Sequence, residues 1–515
     1  MDSWIFIAGT SLAFSIPGLV FSYYSVVLFL SMFRYPSCLG KSTTLTATPL
    51  VSILIATFNE KFVIGNTLDA LKRLDYPRDN LLVVIADDSS DETIQVIDQK
   101  IEELNSLGIR SVVSTRKGRA GFKSGALEHA APLLEGDYVL LLDADSTVPS
   151  DLLRRGLSAA NHDPRIGFVS FRVGHYNREQ SWTTRLFALQ LDQGDTVSKM
   201  GAYAIDAPYS FQGGFVLVSM AVLREVGFWM NESIVEDADL SCRIYCAGYR
   251  GVYLSDVRIF SEDPPSLEVW KKQAARVAQG WANYVSANGK KILSCKSLPL
   301  WKRLVLFSTL VGPFQGLSWI VVTFVSALGL ILGLSAPSNS IFSNPMYVFL
   351  VSLPLVTFFG SGVYALRIQR ILSLRNLILL PLLSYTSSCM TTAIMIGFLN
   401  GMRGKTGFFF RTPKQGPDGD LNNEYHRGIR LDRIAIAEGI LSTIALAMSV
   451  IVLIDGVWAL SLTLAGFGAL TLKSMNLSRI FTQKSASASQ MESSVRGPMV
   501  SDLRFISSAR HSTDS

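Results

Sequence analysis

Five apolar residues, Tyr138 to Leu142, run straight into Asp143-Ala144-Asp145. A run of that length and composition suits a strand buried on both faces of a parallel sheet. Open α/β sheets place their ligands at the carboxyl ends of such strands, where this run delivers two carboxylates. Positions two apart on a strand point the same way, so Asp143 and Asp145 can address one site. Carboxylates are hard oxygen ligands, and a Mg²⁺ or Mn²⁺ ion held by one or two of them is usually completed by substrate phosphates. Alone, such a pair more often marks a polar turn. The neighbouring sequence decides.

Val51 to Thr57 reads as another buried strand and ends in Asn59 and Glu60; Leu81 to Ala86 reads as a third and ends in Asp87-Asp88. Helical patterns run through Leu74 and from Lys100 to Leu107, and Ser111 to Thr115 is a short strand. The loop Arg116 to Lys123 is basic and bears glycines, and a helix is expected over Ser124–Leu134. Glycines let backbone amides approach an anion, and a helix N-terminus favours negative charge. Strands alternating with helices imply a mostly parallel, doubly wound α/β sheet. Three strand ends therefore present Asn59/Glu60, Asp87/Asp88 and Asp143/Asp145 along one edge. Acidic groups beside a basic loop point to a nucleoside diphosphate with a divalent cation.

Further on, Phe211-Gln212-Gly213-Gly214 precedes a strand-like run, where a bulky ligand can approach the backbone closely. Glu236-Asp237 opens a helical stretch. Carboxylates there either complement the helix dipole or, for Asp237, serve as a general base toward an attacking hydroxyl.

With these elements in order, residues 50–300 resemble the family 2 nucleotide-sugar glycosyltransferases, and among them the membrane-embedded cellulose, chitin and hyaluronan synthases. The resemblance rests on Asp87-Asp88, Lys123, Asp143-Ala-Asp145, Phe211-Gln-Gly, Glu236-Asp237 and Gln273-Ala-Ala-Arg276. It implies a GT-A-like fold in which Thr57, Asn59, Glu60, Asp88, Lys123 and Asp143 bind a uridine diphosphate sugar. It implies Asp143 and Asp145 as metal ligands and Asp237 as the base. Phe211, Gln212, Gly213, Glu236, Gln273 and Arg276 would hold the pyrophosphate and the acceptor. The segment Phe409-Phe-Arg411-Thr412-Pro-Lys414 is similar to the family's gating loop, with Arg411 in place of valine. Two departures stand out: Val277 occupies the position of the tryptophan after Gln-x-x-Arg, and Val235 that of the threonine before Glu-Asp. Trp281 can replace the missing ring only if its helix bends.

The apolarity is segregated. Of the 515 residues, 49% are hydrophobic and 17% charged, yet residues 45–265 look like soluble α/β sequence flanked by long apolar blocks. Blocks at 4–33, 304–333, 346–366, 434–454 and 456–472 are expected to span a bilayer. Arg34 and Lys41 place residue 41 in the cytoplasm, and residues 1–44 form a first span with its linker. The net charge of +6 lies largely beside these blocks, so it is assigned to membrane orientation and no nucleic-acid partner is expected. Residues 266–302 read as a basic, amphipathic interfacial helix carrying Gln273 and Arg276. Block 377–399, within the membrane region 303–473, poses a parity problem: if it spanned, the seven Lys/Arg of Arg403–Arg433 would lie outside. It is read as interfacial or re-entrant, which keeps loop 403–433 beside the site. Residues 474–515 look like a disordered cytoplasmic tail.

The five cysteines form no Cys-x-x-Cys pair and read as free thiols. The expected activity is inverting extension of a glycan at the cell membrane by a cytoplasmic domain, with export past Gln315, Ser318, Trp319 and Thr323. Transfer of one sugar to a lipid or short glycan is the alternative, and a non-catalytic scaffold the third reading.

Overall fold

The computed structural model describes residues 24–35, 47–230, 234–311, 345–404, 414 and 433–454, with scattered positions at 324–332 and 464–471. Its centre is a seven-stranded sheet. The strands are β1 (Val51–Thr57), β2 (Leu81–Asp87), β3 (Arg110–Thr115), β4 (Tyr138–Asp143), β5 (Ile166–His175), β6 (Phe215–Ser219) and β7 (Arg250–Ser261). Their order is β3-β2-β1-β4-β6-β5-β7. β3, β2, β1 and β4 are parallel; β6 runs antiparallel to both β4 and β5, and β7 pairs parallel with β5.

Alternation along each central strand feeds two cores. Ile53, Ile55, Leu81, Val83, Ile85, Leu140 and Leu142 enter one; Leu54, Leu82, Val84, Val139 and Leu141 enter the other. A period-2 chain with both faces covered has to read as continuously apolar, as these three strands do. One core is closed by α1 (Ile64–Leu71), α2 (Thr93–Ser106) and, beyond α3 (Phe122–Ala130), α4 (Leu152–Ala160). The other is closed by α3, by α6 (Ser198–Ala204) after a π-helical turn at Asp192–Val197, and by α7 (Met220–Val226) and α8 (Glu236–Cys246), while α5 (Trp182–Leu191) puts Leu186 and Leu189 into a third cluster with Leu267, Trp270 and Leu380. The helix expected from Lys100 begins at Thr93, seven residues earlier, because Thr93 and Ile97 are buried on the same face as Leu104. The helix expected to Leu134 ends at Ala130 in a 3₁₀ turn containing Pro132.

Past the sheet run α9 (Leu267–Leu293), α10 (Leu300–Val311), α11 (Pro345–Ile368), α12 (Leu379–Met402) and α13 (Arg433–Ile454). Ser266 caps α9 by accepting from the Val269 amide. α9 is unbroken across Val277 and Trp281, and Trp281 packs against the second core. The block read as interfacial is the helix α12, laid along α9. Over the described residues no helix presents a stretch long and apolar enough to cross a membrane. The blocks 4–23 and 456–463, the path residues Gln315, Ser318, Trp319 and Thr323, and the tail 474–515 lie outside the described residues, as does Cys38. Cys242, Cys246, Cys295 and Cys389 are free thiols.

Candidate active site

The register of the sheet makes the site. Thr57 is level with Asp87, Ala56 with Asp143, and Asp87 with Thr115, so the strands end together. The Thr57 carbonyl accepts from the Asp88 amide at 3.1 Å, and its buried hydroxyl oxygen has no partner among the described residues. Asn59 takes a positive φ of 54° and ties two strand ends together: its amide donates to Ser89 Oγ, and its Oδ1 accepts from the Ser90 amide. Burial lifts the Asp87 carboxyl above the usual range although Ser89 donates to it. Asp88 is gripped by Arg116, whose Nε and Nη2 donate to the two carboxylate oxygens at 2.8 and 2.7 Å. The same guanidinium donates to the carbonyls of Ala120 and Phe122, folding the basic loop over the edge. Arg119 lies flat on the Phe58 ring, 3.3 Å from its centroid.

Lys123, in the first turn of α3, joins motifs that are far apart in the chain. Its Nζ donates to Asp143 Oδ1 at 2.6 Å and to the Gly213 carbonyl at 2.6 Å, and it lies 3.2 Å from Glu236 Oε1. Burial works against its charge, but Asp143, Glu236 and Asp237 outweigh that and hold its pKa above the usual lysine value. The two glycines of Phe211-Gln212-Gly213-Gly214 are steric requirements: a Cβ at Gly214 would sit 2.4 Å from Asp143 Oδ2, and one at Gly213 2.9 Å from Glu236 Oε1. Phe211 is fully buried in the second core, and its amide donates to Ser241 Oγ.

Asp237 occupies the first turn of α8. Its Oδ1 accepts from the Ala238 amide at 2.8 Å and its Oδ2 from the Gly213 amide at 3.2 Å. Ser241, one turn on, donates to the Asp237 carbonyl at 2.6 Å and so stitches α8 to the Phe211 segment. Burial, and then the adjacent Glu236 carboxylate, push the Asp237 carboxyl up to about 7, against the Ala238 amide, Lys123 and Lys199. A carboxylate tuned toward neutrality is what a general base needs. Arg276 comes from α9; burial lowers its pKa, opposed by Glu236, Asp143 and Asp237. Gln273 Oε1, a turn away, is buried without a partner among the described residues.

Asp145 holds the other end of the site. Its Oδ2 accepts from the Glu262 amide at 2.8 Å and from Lys414 Nζ at 2.6 Å. Burial would lower the Lys414 pKa, yet Asp145, Glu262 and Glu60 raise it. Lys414 also donates to the Glu262 carbonyl, so the loop expected beside the site reaches it here. Phe409, Arg411 and Thr412 lie outside the described residues. Among the described residues Asp143 Oδ2 and Asp145 Oδ1 accept no side-chain or backbone hydrogen bond, a donor set that fits a hard divalent ion. Among the described residues no three His, Cys, Asp or Glu side chains converge as a metal site.

The site thus gathers Thr57, Asn59, Glu60, Asp88, Lys123, Asp143, Asp145, Gly213, Glu236, Asp237, Arg276 and Lys414. Sequence reading missed Arg116 and Ser241. The first was visible only as the start of a basic loop, and the second only as the residue one helical turn after Asp237.

A GT-A-like α/β domain with a mostly parallel sheet and an acidic carboxyl edge is the class this geometry defines. Residues 48–280 match the family described as "Glycosyltransferase like family 2". The chain is 30% identical over 265 residues to glucomannan 4-beta-mannosyltransferase 2 of Arabidopsis thaliana, covering 50% of each protein. It is 30% identical over 263 residues to glucomannan 4-beta-mannosyltransferase 1 of Oryza sativa subsp. japonica, again covering 50% of each. The chain spans about half the length of the curated relatives it matches. Its fold is shared with the mannosyltransferase PcManGT from Pyrobaculum calidifontis, solved in complex with GDP-Man and Mn²⁺. The TM-score is 0.51 at 20% identity, over 78% of this chain and 99% of that one.

Proposed function

We propose that this protein transfers a hexosyl group, with inversion, from a nucleoside diphosphate sugar to the hydroxyl end of a glycan, and so extends a polysaccharide. The observation that carries the reading is the convergence of Lys123 on Asp143, Gly213 and Glu236, with Asp237 against the same glycine. The names of the curated relatives favour mannose as the sugar. Asp237 takes the proton of the attacking hydroxyl, and a pKa near neutrality lets it be both ionised and basic at working pH. Lys123 and Arg276 face the charge that develops on the departing diphosphate. Asp143 and Asp145 would hold a divalent ion, which when bound neutralises that diphosphate. Asp88, fixed by Arg116, sits at the outer end of the edge, where a nucleobase would lie.

A second reading, addition of a single sugar to a lipid or short glycan, is favoured by one feature. Val277 has no ring and Trp281, half-buried, packs against the second core, so neither offers a free ring on which a growing chain can slide.

Membrane embedding, with a cytoplasmic catalytic domain and export through the chain's own helices, is part of the proposal. What supports this part is the sequence alone, whose apolar blocks at 4–33, 304–333, 346–366, 434–454 and 456–472 are each about the length of a span.

The test is a donor screen. Membranes carrying the protein are given UDP-glucose, UDP-N-acetylglucosamine, GDP-mannose and GDP-glucose with manno- and gluco-oligosaccharides. Release of one nucleoside diphosphate together with a lengthened glycan is expected. Release of none would contradict transfer, and a product one sugar longer and never more would select the second reading.

A further inference from the structure

We propose that the ion pair between Lys271 and Glu438 is a register key that positions Arg276, and with it Gln273, over the carboxylates of the site. Lys271 Nζ and Glu438 Oε1 are 2.5 Å apart, and both side chains are buried. Glu438 sits in the mostly apolar helix α13, on the turn before Ser442, which donates to its carbonyl. Charges are not buried in apolar helices for stability alone, since desolvation offsets most of their attraction; their best-attested use is to fix register.

The geometry of α9 shows what the register controls. Lys271, Ala275 and Gln279 are spaced by four residues and share one stripe of the helix. α12 meets that stripe with Gly397 and Gly401, also four apart. A Cβ on Gly397 would lie 2.1 Å from the Ala275 carbonyl oxygen, and one on Gly401 2.5 Å from that of Gln279. The backbones of α9 and α12 therefore touch where the side chains are missing. Arg276 and Gly280 form a different stripe, about 100° around the helix from Ala275 and Gln279 at 100° per residue. Gly280 faces Val235 and Ile234, directly before Glu236 and Asp237, with Val235 Cγ1 2.7 Å from the place of a Cβ. One side of α9 is locked to α12 and α13 while the other delivers Arg276 to the start of α8. A small rotation of α9 therefore moves Arg276 relative to Asp237.

The experiment compares E438Q, K271M, the charge swap K271E/E438K and G397A in the full chain. Turnover and nucleotide affinity are measured, together with oxidant-driven disulfide formation between cysteines placed at Ser286 and Met402, which touch across α9 and α12. That last measurement uses a background whose native cysteines are replaced by serine. The single variants and G397A should lose on the order of 10- to 100-fold in kcat, the scale of misplaced catalytic groups, with a smaller loss of nucleotide affinity because Arg276 faces the diphosphate. E438Q should also form the disulfide more slowly, and the swap should recover both turnover and cross-linking. Unchanged kcat and cross-linking in E438Q would overturn the proposal. So would a swap that recovers neither while the singles still bind nucleotide. The turnover arm rests on the transfer reading of the site; the cross-link does not. Wild-type protein inactive on every donor would contradict transfer alone and leave the register to be decided by the cross-link.

Discussion

Lys123 Nζ lies 2.6 Å from Asp143 Oδ1, although twenty residues and a whole helix–strand unit separate them. This contact brings the basic loop to the end of β4 and holds both against Gly213 and Glu236. Removing the ammonium would leave Asp143 and Glu236 without the cation that bridges them. Lys123→Met is therefore expected to weaken nucleotide binding and turnover together, whereas Lys117→Met, in the same loop, should leave both near wild type. Calorimetric titration of the nucleotide checks this.

Gly214 has no room for a methyl group. Gly214→Ala puts a carbon where Asp143 Oδ2 stands, so the carboxylate must move. A displacement of about 1 Å at a reacting centre can cost about 10²-fold. The variant should fold, since Gly214 lies at the edge of the sheet, and its kcat should fall by about that factor. A core change behaves differently: Leu141→Ala, fully buried, should lower unfolding stability by about 2–5 kcal/mol in a denaturant melt.

The metal prediction follows from the donor set. Mn²⁺ binding, followed by the loss of its free-ion paramagnetic signal, should require nucleotide and should fail in Asp145→Asn. Lys414 holds Asp145 Oδ2, so Lys414→Met should strengthen Mn²⁺ binding by removing a competing cation. Full turnover in excess chelator would refute the metal assignment.

How much of this was legible in the sequence can be argued element by element. β1, β2 and β4 were visible because both faces are covered, which forces continuous apolar runs, and their acidic ends marked the edge of the sheet. β5 and β7 drew no strand assignment. Arg172, in the middle of β5, is buried against Asp192, and a buried ion pair breaks the apolar run that a reader looks for. β7 carries Asp256 and Arg258 for a similar reason: one side chain is exposed and the other only half covered. Asp237 and Lys123 were found by motif, but their meeting at Gly213 belongs to the fold. The placement of α12 along α9 escaped the sequence because two glycines give no apolar signal, only an absence of side chains.

Topology has its own check. Single cysteines near Asn339 and Asp455 should react with an impermeant thiol reagent added outside intact cells. Cysteines at 405 and 420 should not. Labelling at 405 from outside would place loop 403–433 on the far side of the membrane, apart from the site that Lys414 enters.

The pH dependence follows from the Asp237 carboxyl. Its folded pKa, near 7, lies above the ordinary value, so the native state binds more protons than the unfolded chain between about pH 4 and 7. Asp237 thus favours folding at low pH, and that contribution is lost as pH rises through its folded pKa. Catalysis runs the opposite way, because the base must be ionised. kcat/KM should fall about tenfold per unit below pH 7, and a melt of Asp237→Asn should show a flatter pH dependence of stability.

The most direct measurement is turnover of Asp237→Asn at saturating donor and acceptor, set beside its nucleotide Kd. Asparagine keeps the size of the side chain and an oxygen for the Gly213 amide, but it cannot take a proton. A general base contributes about 10²–10⁴-fold, so kcat should fall by that factor while Kd changes less than about threefold. Near-normal turnover would make Asp237 a helix-terminal carboxylate and nothing more. Loss of nucleotide binding equal to the loss of turnover would move it into the donor site, and either result would contradict its role as the base.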